Sequence, residues 1–318
     1  MPEIVWVFFL EKWLDLKLGY SCNNNCLFCP VAGKRARGDK ALEELKSDLE
    51  KGFANRARGV VFTGGEPTVR PELPELVDYA KGLGFDYLLI QSNGRNFKDL
   101  KLCKRLVEAG VSEFGPSVHG PNARIHDSLT RGKGSFGETI HGMKNLAELG
   151  QSMVTNSVVS KQNFRLLPEL VEMLASLNVK QAQLAFVHPM GNAWKNFEKV
   201  VPGFSEAMPF IYKAIEVSKQ LGLPIMVEAV PYCLMQGYEK FVSEQYIPET
   251  EIREPGSVVE RFSVVRKEEG KRKGEKCSAC RYFAVCEGPW KEYPEKKGFS
   301  EFVPVQGKRV ESLEDLYC

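Results

Sequence analysis

The sequence predicts an α/β fold, a partial (β/α)6 barrel of the TIM-like type. Short apolar or β-branched runs alternate with longer amphipathic segments over residues 15–190. Strands that alternate with helices of this length form parallel βαβ units, and six such units fit a partial barrel. The chain has 318 residues, of which 43% are hydrophobic and 26% are charged, so it can bury a core of that size.

The βα units follow one another in order along the chain. The predicted strands are residues 16–20, 59–63, 85–91, 111–118, 153–159 and 179–187, and the predicted helices are residues 41–51, 72–83, 97–109, 135–149 and 166–177. A further helix over residues 206–221 and a strand over residues 224–230 follow. Residues 245–275 are charged and weakly periodic, which favours a solvated loop or an edge hairpin.

Composition and charge limit the partners and the compartment. The formal net charge of +2 indicates no preference for nucleic acid or for an anionic membrane. The apolar run over residues 1–10 is too short to span a bilayer and lacks a basic signal-peptide region, so a first strand or core-packing segment is expected there. Nine cysteines without an export signal indicate metal ligation in a reducing compartment, and we therefore expect a cytoplasmic protein.

Three cysteines lie close together directly after the first predicted strand. They are Cys22, Cys26 and Cys29, separated by three and two residues. A closed zinc or iron–sulfur site normally takes four protein ligands, so three thiolates leave one coordination position open for chemistry. The alternative is a zinc site or an incidental group of thiols. In parallel α/β folds, functional residues gather at the carboxyl ends of the strands, which is where this loop lies.

A second motif, Gly64-Gly65-Glu66-Pro67, ends the second predicted strand. Together with the cysteine loop it resembles the radical S-adenosylmethionine (SAM) superfamily. The resemblance implies that the three cysteines bind a [4Fe-4S] cluster, that SAM chelates its fourth iron, and that this motif hydrogen-bonds the methionyl amino group. It also implies reductive cleavage of SAM to a 5′-deoxyadenosyl radical that abstracts hydrogen from a substrate. A reducing partner such as ferredoxin or flavodoxin is then expected.

Weaker matches complete the SAM site that the resemblance implies. They are Phe28, beside the last cysteine of the loop, Asn93, Ser117 and Asn156 on predicted strands or at their ends, and Arg131. Arginine suits a carboxylate because its planar fork can bond both oxygens. The alternatives are that Asn93 serves a turn and that Arg131 and Asn156 are surface or capping residues. No catalytic residue is predicted, although His119 and His188 lie at strand ends, where His188 could contact a substrate.

A second group of cysteines lies near the C-terminus. Cys277, Cys280 and Cys286 are separated by two and five residues, and two intervening residues allow a pair of thiolates to reach one metal centre. The spacing resembles the SPASM or Twitch extensions of radical SAM enzymes, which implies one auxiliary [4Fe-4S] cluster. A structural zinc site is the alternative. The fourth ligand is predicted to be Cys233 in preference to the terminal Cys318, because chain termini fray.

These motifs divide the chain into a radical SAM core, residues 1–204, and an auxiliary-cluster extension, residues 205–318. We expect an enzyme that modifies a peptide or protein residue, with the auxiliary cluster assisting an oxidation. The alternative is a step in small-molecule or cofactor biosynthesis, and a third hypothesis is a non-catalytic iron–sulfur electron carrier. The early first strand predicts no peptide-recognition domain before the barrel. Cys103 lies within a helical pattern and is predicted to be a buried apolar residue.

Overall fold

The computed structural model describes residues 12–316, and its strands follow the predicted order. The strands are β1 (Lys12–Lys17), β2 (Gly59–Thr63), β3 (Tyr87–Ser92), β4 (Glu113–Pro116), β5 (Val154–Val159), β6 (Gln181–Phe186), β7 (Ile225–Glu228), β8 (Glu249–Glu254) and β9 (Ser257–Val259). The segment predicted over residues 1–10 and the alternative ligand Cys318 lie outside the described residues.

Parallel pairing joins the strands into a partial barrel. β1 pairs with β2, β2 with β3 and β3 with β4, all in parallel. β5, β6 and β7 form a second parallel group, and the bridges Phe114–Met153 and Ser117–Asn156 join it to the first group. The predicted α/β partial barrel is therefore confirmed, and β7 adds a seventh parallel strand to the barrel.

Helices alternate with most of these strands along the chain. They are α1 (Leu42–Ala54), α2 (Leu73–Leu83), α3 (Leu100–Ala109), α4 (Ala123–Thr130), α5 (Ser135–Glu148), α6 (Leu167–Ser176), α7 (Asn192–Lys195), α8 (Phe197–Val200), α9 (Phe204–Leu221), α10 (Phe262–Val265) and α11 (Glu292–Lys297). Within residues 12–316, no helix combines the length and the hydropathy that a bilayer crossing requires.

Side chains alternate between the helices and the lumen of the barrel. In β2, Val60 and Phe62 are fully buried, whereas Val61 and Thr63 are only half-buried. Successive side chains of a strand point to opposite faces, and β5 and β6 show the same alternation. One face of the sheet therefore packs on the helices, and the other lines a lumen that stays partly open.

The first strand lies earlier than the sequence predicts. The prediction places it at residues 16–20, whereas β1 ends at Lys17. Gly19 then takes a φ of +151°, and a Cβ there would lie 2.0 Å from the Asp39 carboxylate. That carboxylate accepts a hydrogen bond from the Ser21 backbone N–H (3.0 Å). The chain therefore turns against Asp39 where the sequence predicts the end of the strand, and the cysteine loop begins at this turn.

The segment over residues 245–275 is more buried than the sequence predicts. β8 and β9 form an antiparallel hairpin, and β8 pairs in parallel with β1. Glu251 of β8 is fully buried and accepts from Lys12 Nζ (2.8 Å) and Arg253 Nε (2.6 Å). Arg253 also pairs with Asp48 at 3.2 Å. The predicted edge hairpin is thus present, whereas the prediction of a solvated loop is wrong. The charged residues can be buried because each is paired with an opposite charge.

Aromatic residues join the C-terminal segment to the barrel. Phe186 of β6 stacks on Phe204 of α9 with ring centroids 3.9 Å apart. Tyr293 of α11 meets Phe204 edge-on at 4.7 Å. Stacked and edge-to-face pairs add to the free energy of burial. The extension is therefore held on the barrel wall at β6, next to the start of α9 where the sequence places the division between the two predicted domains.

Candidate active site

The cysteine loop follows β1 at the carboxyl ends of the parallel strands. Its thiols, Cys22, Cys26 and Cys29, are half-buried and free of disulfides. The loop backbone docks on the C-terminal end of α4, where Asn25 N–H donates to the Thr130 carbonyl (3.0 Å) and Leu27 N–H to the Leu129 carbonyl (2.8 Å). Backbone hydrogen bonds therefore hold the loop in place even without the metal centre that the sequence predicts.

Burial raises the pKa of all three loop thiols. The Arg35 charge acts in the opposite direction on each of them, and its guanidinium is held by the Asn24 carbonyl at 2.6 Å. The thiolate is the form that binds metals. Buried thiolates need compensating positive charge, and three soft sulfur donors suit an iron–sulfur cluster or zinc. The chemistry of these donors therefore agrees with the metal centre that the sequence predicts, and ligation by the three thiols stays a prediction.

Two glycines at the end of β2 bring that strand against the cysteine loop. Gly64 has a φ of +118°, and a Cβ there would lie 2.3 Å from the Gly19 carbonyl oxygen. A Cβ on Gly65 would lie 2.2 Å from the Ser21 carbonyl oxygen. Gly65 N–H donates to the Gly19 carbonyl (2.9 Å) and Glu66 N–H to the Ser21 carbonyl (2.8 Å). The sequence predicts a close approach to a ligand; the approach observed is to the backbone that enters the cysteine loop.

Glu66 ties the end of β2 to the end of β3. Its carboxylate is 2% exposed and accepts from Thr68 N–H (3.0 Å), Ser92 Oγ (2.7 Å) and Asn93 N–H (2.6 Å). Burial raises the pKa of Glu66, although these hydrogen bonds oppose the shift. Pro67 then starts a short 3-10 turn, Pro67–Val69. The motif thus fixes two strand ends beside the thiols, and its contact with SAM stays a prediction.

Asn93 extends this connection to the loop itself. Its Nδ2 donates to Asn23 Oδ1 (2.6 Å) and lies 3.9 Å from Cys22 Sγ. Its Oδ1 accepts from the Arg95 backbone N–H (3.1 Å), and Gly94 turns the chain with a φ of +78°. Asn93 therefore serves a turn and contacts the loop at the same time.

The remaining predicted SAM contacts differ in position. Ser117 and Asn156 face each other across β4 and β5, and both are half-buried. Asn156 Oδ1 is buried and has no hydrogen-bond partner within residues 12–316. A buried acceptor of this kind indicates that a ligand or a water molecule donates to it. Arg131, in contrast, is exposed and caps α4 with a φ of +53°, which matches the capping alternative.

A segment that the sequence analysis does not single out holds the cysteine loop from the β6 side. Gly191 has a φ of +58°, and a Cβ there would lie 2.5 Å from the Pro30 carbonyl oxygen. Asn192 N–H donates to the Cys29 carbonyl (2.9 Å), and its Nδ2 donates to the Cys26 carbonyl (2.9 Å). The two residues therefore clamp the backbone of two predicted cluster ligands. The only sequence signal was a Gly-Asn pair shortly after a predicted strand.

Replacing Asn192 by alanine is expected to loosen this clamp without removing a ligand. The lost hydrogen bond contributes about 0.5–1.5 kcal/mol, so the KM for SAM should rise several-fold and the EPR signal of the reduced protein should broaden. Lys195→Ala, an exposed position of the same short helix α7, is the matched control. Unchanged KM and EPR signal in Asn192→Ala would show that the loop is positioned without this clamp.

Phe28 packs into a buried histidine pair. Its ring meets His119 edge-on at 4.7 Å, and His119 stacks on His126 at 5.7 Å. His119 Nδ1 accepts from the Val158 backbone N–H (3.2 Å). Burial lowers the pKa of both rings, that of His126 to about 4. Both histidines are therefore neutral at physiological pH and support the loop through Phe28.

The C-terminal cysteines lie at a separate cavity. Its lining includes four thiols, those of Cys233, Cys277, Cys280 and Cys286. Burial, followed by the charges of the other three thiols, raises the pKa of Cys233 to about 12. The structure thus brings the predicted fourth ligand to the same cavity as the three-cysteine motif. The identity of the metal in it stays a prediction.

His188 lies between the barrel and this extension. Its ring stacks on Trp290 with centroids 3.9 Å apart, and its Nε2 lies 3.3 Å from a Glu292 carboxylate oxygen. Lys271 Nζ lies 4.0 Å from the centroid of the Trp290 ring. These contacts give His188 a role in joining the two parts, and a contact with substrate stays a prediction.

Curated relatives of the chain are enzymes. A probable GTP 3′,8-cyclase of Sulfolobus acidocaldarius is 28% identical over 181 residues, 56% of this chain and 56% of the relative. The Fe-coproporphyrin III synthase of Methanosarcina barkeri is 26% identical over 247 residues, 74% of this chain and 58% of the relative. The chain thus spans little more than half the length of the curated relatives it matches.

Solved structures share the fold. Streptococcus suis SuiB bound to S-adenosylmethionine aligns with a TM-score of 0.69 and 16% identity, covering 93% of this chain and 76% of SuiB. The anSMEcpe structure with bound AdoMet and the Kp18Cys peptide aligns with a TM-score of 0.67 and 16% identity, covering 92% of each chain.

The family itself is identified by the part of the chain that holds the cysteine loop. The model of the Radical SAM superfamily matches residues 16–174, half of the chain. This span includes the three loop thiols, the Gly64–Pro67 motif and the polar residues at the ends of β3 to β5. The chain therefore belongs to the radical SAM superfamily, enzymes that use a [4Fe-4S] cluster and SAM.

Proposed function

We propose that this radical SAM enzyme acts on a small molecule in a biosynthetic reaction. The observation that carries a radical reaction is the three-thiol loop held directly against Gly64, Gly65 and Glu66 at the carboxyl ends of the strands. The names of the curated relatives refer to GTP and to Fe-coproporphyrin III, both small molecules. The peptide-bound structure shares only 16% identity and supports the fold alone. A small-molecule substrate is therefore favoured over a peptide or protein residue.

The residues around the loop fit the cluster and SAM. Cys22, Cys26 and Cys29 would ligate the cluster and leave its fourth iron to SAM. When bound, the reduced cluster and SAM supply a 5′-deoxyadenosyl radical that abstracts hydrogen from the substrate. Glu66 and Asn93 keep two strand ends against the loop, and Asn156 Oδ1 offers SAM an unused acceptor. The electron comes from an external donor of the ferredoxin or flavodoxin type.

We also propose that the C-terminal cavity holds an auxiliary [4Fe-4S] cluster. Four cysteine thiols are the set that such a cluster takes, and this cavity presents four. Cys233 is favoured over Cys318 as the fourth ligand because it lines the cavity beside the other three. Four thiols also suit structural zinc, which is the second candidate for the cavity.

Release of 5′-deoxyadenosine from the anaerobically reconstituted protein tests the substrate class. With SAM and a strong reductant we expect slow release without substrate, because radical SAM chemistry does not require substrate to begin. A protease-treated, low-molecular-weight fraction of a cell extract should accelerate release several-fold, whereas the dialysed protein fraction should not. Acceleration by the protein fraction alone would favour modification of a peptide or protein residue over a small-molecule substrate. No release in any mixture would favour the non-catalytic electron carrier.

A further inference from the structure

A row of polar side chains crosses the lumen of the barrel from β4 to β7. Ser117 pairs in register with Asn156, and Asn156 pairs with Gln183. Gln183 Nε2 in turn donates a hydrogen bond to the Glu228 carboxylate on β7. The residues on either side of each of these four along the chain are buried, whereas the four themselves are half-buried. The row therefore faces the open lumen and not the helices.

Glu228 is the charged member of this row, and the nearby cations are bound to other acids. Lys271 Nζ pairs with Glu244 at 3.2 Å. Arg266 forms two hydrogen bonds with the carboxylate of Glu287, at 2.9 and 2.8 Å. Within residues 12–316, no ion pair includes Glu228. Burial raises the pKa of Glu228, and the charge of Glu244 raises it further, while Lys271, Arg266 and the Gln183 hydrogen bond oppose the shift.

The backbone directly after Glu228 is held in an uncommon conformation. Ala229 is 1% exposed and has a φ of +62°, a left-handed conformation that is unfavourable for a non-glycine residue. Its N–H donates to Glu244 Oε1 (2.8 Å), which fixes the turn. Strained residues of this kind persist where the surrounding structure determines them, and they recur at ligand sites. The turn leaves the Glu228 side chain at the lumen while the chain continues to Cys233.

We propose that Gln183 and Glu228 bind the substrate of the reaction proposed above, and that they bind the N–H edge of a nitrogen heterocycle such as a purine base. A carboxylate only accepts hydrogen bonds, and the Gln183 amide oxygen adds an acceptor because its Nε2 is already used. A substrate carboxylate or phosphate placed here would instead lie against the Glu228 carboxylate, which has no cation paired with it. Repulsion between the two negative charges disfavours such a substrate.

The position of the pair suits a molecule that lies beside SAM. Ser117 and Asn156, at the other end of the row, are the predicted SAM contacts. Glu228 lies two strands beyond Asn156, which corresponds to about 10 Å at the usual spacing of about 4.8 Å between strands. A planar ring bound at Gln183 and Glu228 would therefore occupy the part of the lumen next to the SAM site.

Equilibrium binding to the anaerobically reconstituted full chain in the presence of SAM tests this inference. The probes are GTP, inosine triphosphate, which lacks the 2-amino group of the base, and Fe-coproporphyrin III, whose peripheral acids are carboxylates. Glu228→Gln keeps the size of the side chain and should weaken GTP binding about tenfold or more, because hydrogen bonds to charged groups are the stronger ones. It should weaken inosine triphosphate binding less. Glu172→Gln, at an exposed position of α6, should leave both unchanged.

Three results would overturn the inference: no binding of GTP to the wild type, equal binding of GTP by Glu228→Gln, or loss of SAM affinity in that variant. The last result would assign Glu228 to the SAM site. Substrate-free release of 5′-deoxyadenosine keeps this test separate from the proposed function. If the wild type releases 5′-deoxyadenosine but GTP binding does not depend on Glu228, only the inference fails; if nothing is released, the proposed radical reaction fails.

Discussion

Cys26→Ala is expected to abolish the release of 5′-deoxyadenosine and to remove about four irons per chain, the content of one [4Fe-4S] cluster. Cys26 is the middle thiol of the loop, and Asn192 Nδ2 holds its carbonyl at 2.9 Å. Alanine leaves the loop in place but gives the cluster only two thiols, so it is not retained. Without the cluster no electron reaches SAM. Iron and sulfide content, measured beside 5′-deoxyadenosine in the same sample, checks both consequences.

Cys103→Ala is the matched control for this loss. Cys103 is fully buried on α3, and its Sγ lies 3.1 Å from the Phe97 carbonyl oxygen, away from both cysteine groups. Its burial agrees with the prediction of an apolar core residue. The control variant should lose some stability, because a small cavity replaces the thiol, yet keep its iron and its activity. Release of 5′-deoxyadenosine by Cys26→Ala at the wild-type rate would remove the loop from the reaction.

The fold was predictable because its signals are local and repeated. Amphipathic helices alternate with short apolar strands, which is the pattern of parallel βαβ units. The predictions that were wrong concern segments whose structure depends on tertiary contacts. β1 ends early because the backbone N–H groups of Tyr20 and Ser21 donate hydrogen bonds to the Asp39 carboxylate. Asp39 lies too far along the chain for a local pattern to predict this contact. β8 is charged, and it is buried only because Lys12 and Asp48 supply partners for its Glu251 and Arg253.

The same distinction applies to the candidate site. The cysteine loop and the Gly64–Pro67 motif could be found because their spacing along the chain is specific. Asn192, Gln183 and Glu228 could not be ranked, since their roles follow from strand register and from a contact between distant segments. Glu228 nonetheless had a signal, because it is a carboxylate within the otherwise apolar strand predicted over residues 224–230.

Cys233→Ala is expected to remove about four irons from the C-terminal cavity while substrate-free release of 5′-deoxyadenosine continues. The reason is that the lining of the C-terminal cavity includes none of the three loop thiols, so the loop cluster does not depend on this thiol. Loss of Cys233 leaves three thiols at its site. Iron content with EPR, compared between wild type, Cys233→Ala and Cys318→Ala, measures the effect. About eight irons in the wild type should fall to about four in Cys233→Ala and stay at about eight in Cys318→Ala.

The comparison of the two variants also separates the alternatives for this cavity. Loss of iron in Cys318→Ala with none in Cys233→Ala would make the terminal cysteine the fourth ligand. Zinc in the wild type, with only about four irons, would mean a structural site and would remove an oxidising role for the extension. A buried thiol whose pKa is raised to about 12 by burial and by three neighbouring thiols binds a metal only by releasing its proton. Assembly of the metal centre at this cavity should therefore be slower at low pH in the wild type.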